Sequence, residues 1–193
     1  MSLLQFEPWI GENYNTSKEK ILIIGDSHYW PYIGHKITYD KNFTKNIVSD
    51  NKSINAKFFK NLSKLFGKEN FNEVRDNIAF ANAVQEFLLN SNDKLTTQQL
   101  NSTAYSIQDY IKLTSPNKVI VLSFRIWQHL FNKKKNWGNY KQDITGANKK
   151  TTIWELYPSQ ETKCLAIGLY HPSYQHWKLD DWKPILDDFL NNY

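Results

Sequence analysis

The chain alternates short apolar runs with longer amphipathic segments, and this alternation constrains the fold more than any other feature. The strand candidates are KILIIG at 20–25, NIAFAN at 77–82, KVIVLS at 118–123, TTIWEL at 151–156 and KCLAIGL at 163–169. Three of these runs are almost continuously apolar, which is typical of strands that helices cover on both faces.

The segments between the strand candidates carry helical spacing of apolar residues. Helices are predicted at 54–66, 97–113, 124–131 and 178–191. Thr96 and Gln99 have the spacing of a capping box ahead of the second helix. Strands alternating with helices predict an α/β protein, a three-layer α/β/α sandwich around a mostly parallel sheet of four to five strands.

Composition narrows the class of protein. A length of 193 residues, with 40% hydrophobic and 15% aromatic residues, fits one folded domain over 1–193. The single cysteine, Cys164, excludes an intrachain disulfide and a four-cysteine zinc or iron–sulfur site within the chain. No apolar run approaches the roughly 20 residues of a membrane span, and no signal peptide is evident. We therefore expect a cytoplasmic monomer that binds no membrane, metal or cofactor.

Chemically capable side chains stand where the predicted strands end. They are the residues of 25–29 (GDSHY), Asn82, Ser123 and His171. In α/β sheets the functional site forms at the carboxyl ends of the parallel strands. The sequence therefore predicts that these residues meet at one edge of the sheet.

Three of these segments carry a family resemblance. GDSHY at 25–29, FANAV at 80–84 and HPSYQ at 171–175 resemble, in that order, the motifs of the uracil-DNA glycosylase superfamily. The corresponding motifs there are GQDPY or GExPG, then LLNAV, then HPS. VIVLSFRIWQHL at 119–130 looks like the strand-then-helix segment that precedes the last motif. The resemblance spans about residues 20 to 177.

The resemblance implies a DNA glycosylase that flips a uracil or another deaminated base out of DNA and hydrolyses its N-glycosidic bond. Asp26 would position water and balance the positive charge on the sugar, and His171 would stabilise the charge on the departing base. Asn82 would read the base edge, because an amide both donates and accepts. The remaining base-binding candidates are Gly25, Ser27, Tyr29, and Trp30 or Phe43 for stacking.

The motifs also depart from the family pattern. Ser27 stands where GQDPY has its aspartate, and the acid at the second position, Asp26, is instead similar to the glutamate of the iron–sulfur branch. His28 replaces the motif proline. Gln175 stands where the better-known enzymes have a wedge leucine, so an aromatic wedge would come from Tyr174 or Trp177, beside Ser173 in the same DNA-contacting loop.

The segment 132–150 is strongly basic. It holds six lysines against one acid, with Trp137 and Tyr140 between them. One interpretation is a solvated surface loop. The other is a loop that tracks DNA phosphates, chiefly through Lys133, Lys134 and Lys135, with aromatic rings for stacking. The expected partner is damaged or single-stranded DNA.

Two alternatives stay open. The first is a glycosylase-fold protein that binds nucleic acid without excising a base. The second is a serine esterase, because GDS and YHP resemble the nucleophile and histidine blocks of the GDSL hydrolases, with Ser27 and His171 in those roles. The acid of that family would fall at Gly168, and the sequence has no GxND oxyanion block.

Overall fold

The computed structural model describes residues 4–29, 40–90, 93–131 and 137–193. In these ranges the strands are β1 (Trp9–Ile10), β2 (Ile21–Gly25), β3 (His28–Tyr29), β4 (Ile78–Asn82), β5 (Phe87–Leu88), β6 (Lys118–Val121), β7 (Gly138–Thr145), β8 (Lys150–Leu156) and β9 (Cys164–Gly168). The helices are α1 (Phe43–Ser49), α2 (Lys57–Leu65), α3 (Asn72–Arg75), α4 (Thr97–Thr114), α5 (Phe124–Leu130) and α6 (Leu179–Asn192).

Seven strands form the main sheet, in the order β1-β4-β2-β6-β9-β8-β7. The four inner strands β4, β2, β6 and β9 run parallel, whereas β1, β8 and β7 pair antiparallel at the two sides. Strands β3 and β5 form a separate two-stranded ribbon beyond the carboxyl ends of β2 and β4. The parallel core places the ends of β4, β2, β6 and β9 at one edge of the sheet.

Helices cover the sheet on both faces because inner strands present apolar side chains to each side. Leu22 and Ile24 of β2 pack with α4 and α5, whereas Ile23 between them packs with α2 and α6. Both clusters are built of almost fully buried side chains, including Tyr110 on one face and Trp182 on the other. The predicted three-layer α/β architecture is therefore confirmed.

The prediction of four to five strands is wrong, because the sheet has seven. The predicted basic loop at 132–150 is also wrong over 138–145, which forms β7 and pairs with β8 as an antiparallel hairpin. Strand β7 is an edge strand whose side chains are mostly exposed, so its sequence has no apolar run to reveal it. Strands β1, β3 and β5 have only two residues each, too few to show a pattern of apolar and polar residues in the sequence.

Within the described part of the chain, no helix is both long and apolar enough to cross a membrane.

Candidate functional site at the carboxyl edge of the sheet

The three sequence motifs converge at the carboxyl edge of the parallel strands. Gly25 pairs with Asn82 across β2 and β4, and Val121 pairs with Gly168 across β6 and β9. Asp26 and His171 therefore follow strands that are two spacings apart, roughly 10 Å. The two groups interact electrostatically, because burial lowers the pKa of His171 and the charge of Asp26 opposes that shift.

Asp26 is the centre of a buried network of hydrogen bonds. Asp26 is 5% exposed, and its carboxylate accepts from Ser27 Oγ at 3.1 Å and from Ser123 Oγ at 2.5 Å. Arg125 pairs with it through two nitrogens, Nε at 2.9 Å on Oδ2 and Nη2 on Oδ1. Burial raises the pKa of Asp26, but the bonds from Arg125 and Ser123 outweigh burial and hold it below its usual value. The carboxylate is ionised, and four donors fill its roughly four acceptor positions.

Arg125 is the functional candidate that sequence reasoning missed. It lies on the first turn of α5, directly after β6, and its Nη1 donates to the Asp93 carbonyl at 2.8 Å. The sequence did contain a signal, because only two of the 24 basic residues are arginine. In a chain that otherwise uses lysine, an arginine beside a strand end indicates a need for a bidentate donor.

Asn82 belongs to a second network, formed with His28. The Asn82 amide donates to His28 Nδ1 at 3.1 Å, and the opposite ring nitrogen, Nε2, contacts Thr44 Oγ1 at 2.8 Å. Burial lowers the pKa of His28 to about 3, so the ring is neutral. Because Nδ1 accepts from Asn82, the proton is on Nε2. Edges of Phe6 and Phe43 lie against the ring, both at a centroid distance of 4.8 Å.

Gly25 is required by the position of Asn82. A Cβ atom at Gly25 would lie 2.1 Å from Asn82 Oδ1. Because real contacts are never so short, any larger residue would displace the amide. The glycine of the first motif thus makes room for the asparagine of the second.

His171 is fixed by the loop that follows β9. The backbone N–H of Ser173 donates to His171 Nδ1 at 3.2 Å, so in the neutral ring Nε2 carries the proton. Phe58 of α2 lies against the ring at 5.0 Å, and Asn61 donates to the Pro172 carbonyl at 2.6 Å. Burial lowers the pKa of His171, although Asp26 opposes the shift. The loop therefore holds a neutral N–H donor at the same edge of the sheet as the ionised carboxylate.

Ser27 and His171, which the serine-esterase alternative requires, are not arranged as a nucleophile and its base. Ser27 uses its single hydroxyl proton on Asp26, so it has none to give to His171 in this arrangement. A Cβ atom at Gly168 would lie 2.1 Å from the Trp127 ring, which leaves no space there for an acid. The side chains are arranged around Asp26 and not around Ser27.

The other candidates occupy several environments. Tyr29 is half-buried near Asp26; burial raises the pKa of its hydroxyl, and a hydrogen bond to Ser27 opposes the shift. Tyr174 and Gln175 are exposed on the loop after His171, whereas Trp177 is half-buried against the hydrophobic cluster. Ser173 is half-buried, and Trp30 and Lys133, Lys134 and Lys135 lie outside the described residues.

The two aromatic residues of the basic segment lie in different environments. Trp137 is buried in the core, but Tyr140 is 54% exposed on β7 and contacts Trp154 edge-to-face. Of the two, only Tyr140 presents a ring to solvent.

Among the residues that the structure describes, no group of three His, Cys, Asp or Glu side chains could hold a metal ion. A scan against protein-family models found no match, and a search of curated proteins found none either.

Proposed function

We propose that this protein is a DNA glycosylase that hydrolyses the N-glycosidic bond of uracil or another deaminated base after the base is flipped out of the DNA. The observation that carries the proposal is that an ionised carboxylate and a neutral histidine N–H donor lie at the same edge of the sheet. Asp26 is ionised and His171 is neutral with its proton on Nε2. Departure of a base as an anion requires one negative group near the sugar and one neutral donor near the base.

In this mechanism the C1′–N bond breaks as the sugar gains positive charge. The anion of Asp26 favours that charge, and the Nε2–H of His171 donates to the oxygen of the departing base. Water then adds to C1′ and releases its proton to solvent. Asn82 lies at the same edge of the sheet, where none of the described residues donates to its Oδ1; this atom would accept from a base N–H while the amide nitrogen is held by His28.

A second candidate function is recognition of nucleic acid without excision. It is favoured by the complete set of donors around Asp26, since a carboxylate with four partners cannot accept a hydrogen bond from a water molecule. The two candidates require the same edge of the sheet and differ in whether a donor leaves Asp26 when DNA binds.

The test is single-turnover excision on labelled oligonucleotides that carry one uracil or one hypoxanthine, single- and double-stranded, with strand nicking after alkali. We expect the wild type to excise at least one of these bases. Asp26→Asn and His171→Ala should each slow excision by roughly 100-fold or more, the range for one electrostatic or acid–base group.

The matched controls are Asp109→Asn on α4 and His129→Ala on the exposed face of α5, which should excise at the wild-type rate. DNA binding without excision of any base would support the second candidate and reject the first. Hydrolysis of a p-nitrophenyl ester that Ser27→Ala abolishes would reject both.

A further inference from the structure

Contacts with the described residues use only part of the hydrogen-bonding capacity of Arg125. A guanidinium has five N–H donors. Two are taken by Asp26 and one by the Asp93 carbonyl in the described part of the chain. One N–H therefore remains on each terminal nitrogen, and 36% of the side chain is exposed. Arg125 is thus held by its bonds to Asp26 and Asp93, while part of its side chain is open to solvent.

The pairing with Asp26 fixes the direction in which the remaining N–H groups of Arg125 point. Asp26 is held by two buried hydroxyl groups, Ser27 and Ser123, and Ser123 Oγ also caps α5 by accepting from Ile126 N at 3.4 Å. Breaking the pair would leave a buried carboxylate without its cation, which is strongly unfavourable. A ligand is therefore expected to use the free donors while Arg125 stays on Asp26.

The ligand that matches one free N–H on each terminal nitrogen of a guanidinium is an oxyanion such as phosphate, because its several oxygens can accept from both nitrogens. The neutral Nε2–H of His171 supplies a further donor at this edge. Asp93, which also raises the pKa of Arg125, opposes an anion. Two lysines add positive charge beside the loop that follows β9. Lys149 lies 5.7 Å from the Tyr170 ring, and Lys57 donates to the Ser173 carbonyl at 3.4 Å.

We propose that Arg125 binds a phosphate group of the nucleic acid backbone through its two remaining N–H donors, and that Asp26 is the positioning residue that orients it. The inference rests on the proposed function only in taking nucleic acid as the ligand. It holds equally for an enzyme that excises a base and for a protein that only binds DNA. It also assigns a role to the complete set of donors around Asp26.

The test is binding of a fluorescent single-stranded oligonucleotide, measured by anisotropy at several salt concentrations. Arg125→Gln should weaken binding about 10-fold and reduce the slope of log K against log[salt] by about 0.7, the value for one lost phosphate contact. Arg125→Lys keeps the charge but not the paired donors, so it should restore the slope and only part of the affinity.

The control is Arg75→Gln, the same change at the other arginine. Arg75 contacts Asp76 and the Val48 carbonyl near the amino ends of the strands. It should leave both slope and affinity unchanged. Thermal melting confirms that each variant is folded, and Arg125→Lys carries the test by its reduced affinity if Arg125→Gln fails to fold.

Asp26→Asn separates positioning from simple charge. It removes a negative charge, so electrostatics alone would tighten binding to DNA. If Asp26 orients Arg125, the substitution should instead weaken binding several-fold. Tighter binding by Asp26→Asn would overturn the positioning role.

Competition identifies the source of the phosphate. Inorganic phosphate and deoxyuridine monophosphate should displace the oligonucleotide only at concentrations at least 100-fold above an unlabelled oligonucleotide; equal competition would overturn nucleic acid as the ligand. A wild-type salt slope in Arg125→Gln, with excision intact, rejects this inference and leaves the glycosylase proposal standing. A reduced slope in a protein that excises nothing rejects the glycosylase and supports the phosphate site.

Discussion

At the scale of single residues, the carboxyl edge keeps one polar network charged and the adjacent one neutral. Asp26 is ionised because Arg125 and two hydroxyl groups compensate its burial. His28 is surrounded by aromatic rings, Asn82 and Thr44, with no acid among its described neighbours, so burial keeps it neutral. Burial favours the neutral form of any group, and only a close opposite charge reverses that preference.

The neutral state of His28 predicts that acid destabilises the fold. The unfolded chain takes up a proton at His28 below a pKa of about 6.5, but the folded chain does so only near 3. The contribution is complete above pH 6.5 and is lost as the pH falls toward 3. This amounts to roughly 3 kcal/mol by pH 4.

Urea denaturation at pH 7.5 and pH 4 of the wild type and His28→Gln measures this contribution. The variant should be less stable at pH 7.5, and the difference should shrink by roughly 3 kcal/mol at pH 4 because glutamine does not titrate. His129→Gln, at an exposed position, serves as the control. A constant difference between wild type and His28→Gln would show that His28 does not titrate in this way.

At the scale of elements, α4 begins where the sequence predicted because its start signal is local. Thr96 Oγ1 accepts from Gln99 N at 3.2 Å, and Gln99 Oε1 accepts from Thr96 N at 2.9 Å, so the predicted capping box is confirmed. Four consecutive residues contain the whole interaction. Signals of this kind can be read without knowing the fold.

Thr96→Ala should therefore destabilise the protein by about 1 kcal/mol, the usual cost of losing an N-cap side chain. For a chain of this length that lowers the melting temperature by about 2–4 °C. Calorimetry measures it, with Thr97→Ala, one residue further into the helix and exposed, as the control. Equal melting temperatures for Thr96→Ala and the wild type would mean that the box contributes no stability.

Strand β7 shows the opposite situation. Its residues are mostly polar, and it is a strand because β8 offers it backbone hydrogen-bond partners over most of its length. A strand exposed on its outer edge does not need apolar side chains along its length. The three lysines of the described hairpin, Lys141, Lys149 and Lys150, have solvent-exposed side chains and therefore did not indicate a strand.

At the scale of the whole molecule, close packing between layers limits what the site can contain. Trp127 of α5 lies over Gly168 at the end of β9, and a Cβ atom there would approach ring atoms of Trp127 to 2.1–2.5 Å. The indole is buried between the helix layer and the sheet. Gly168 therefore serves the contact between layers, which explains why no acid stands three residues before His171.

Gly168→Ala should destabilise the fold by about 1–3 kcal/mol, since an added methyl group in a filled interior forces neighbours to move. Trp127→Leu should relieve the clash, so the double variant should be more stable than the sum of the two single effects by at least about 1 kcal/mol. Urea denaturation of the three variants provides the cycle. Additive effects would mean that the two residues do not compete for the same space.

The sequence by itself determined the α/β/α class, the strands that carry the site, the presence of α2, α4, α5 and α6, and the placement of Gly25, Asn82 and His171 at one edge of the sheet. The helices and strands follow from apolar periodicity, which is local in the chain. The shared edge follows from the general rule that the carboxyl ends of parallel strands lie together. Only the tertiary structure decided that Arg125 pairs with Asp26, that His28 holds Asn82, and that β7 completes the sheet. Each of these depends on groups distant in sequence, 99 residues apart for Arg125 and Asp26, whose contact requires β2 and β6 to be paired in the sheet.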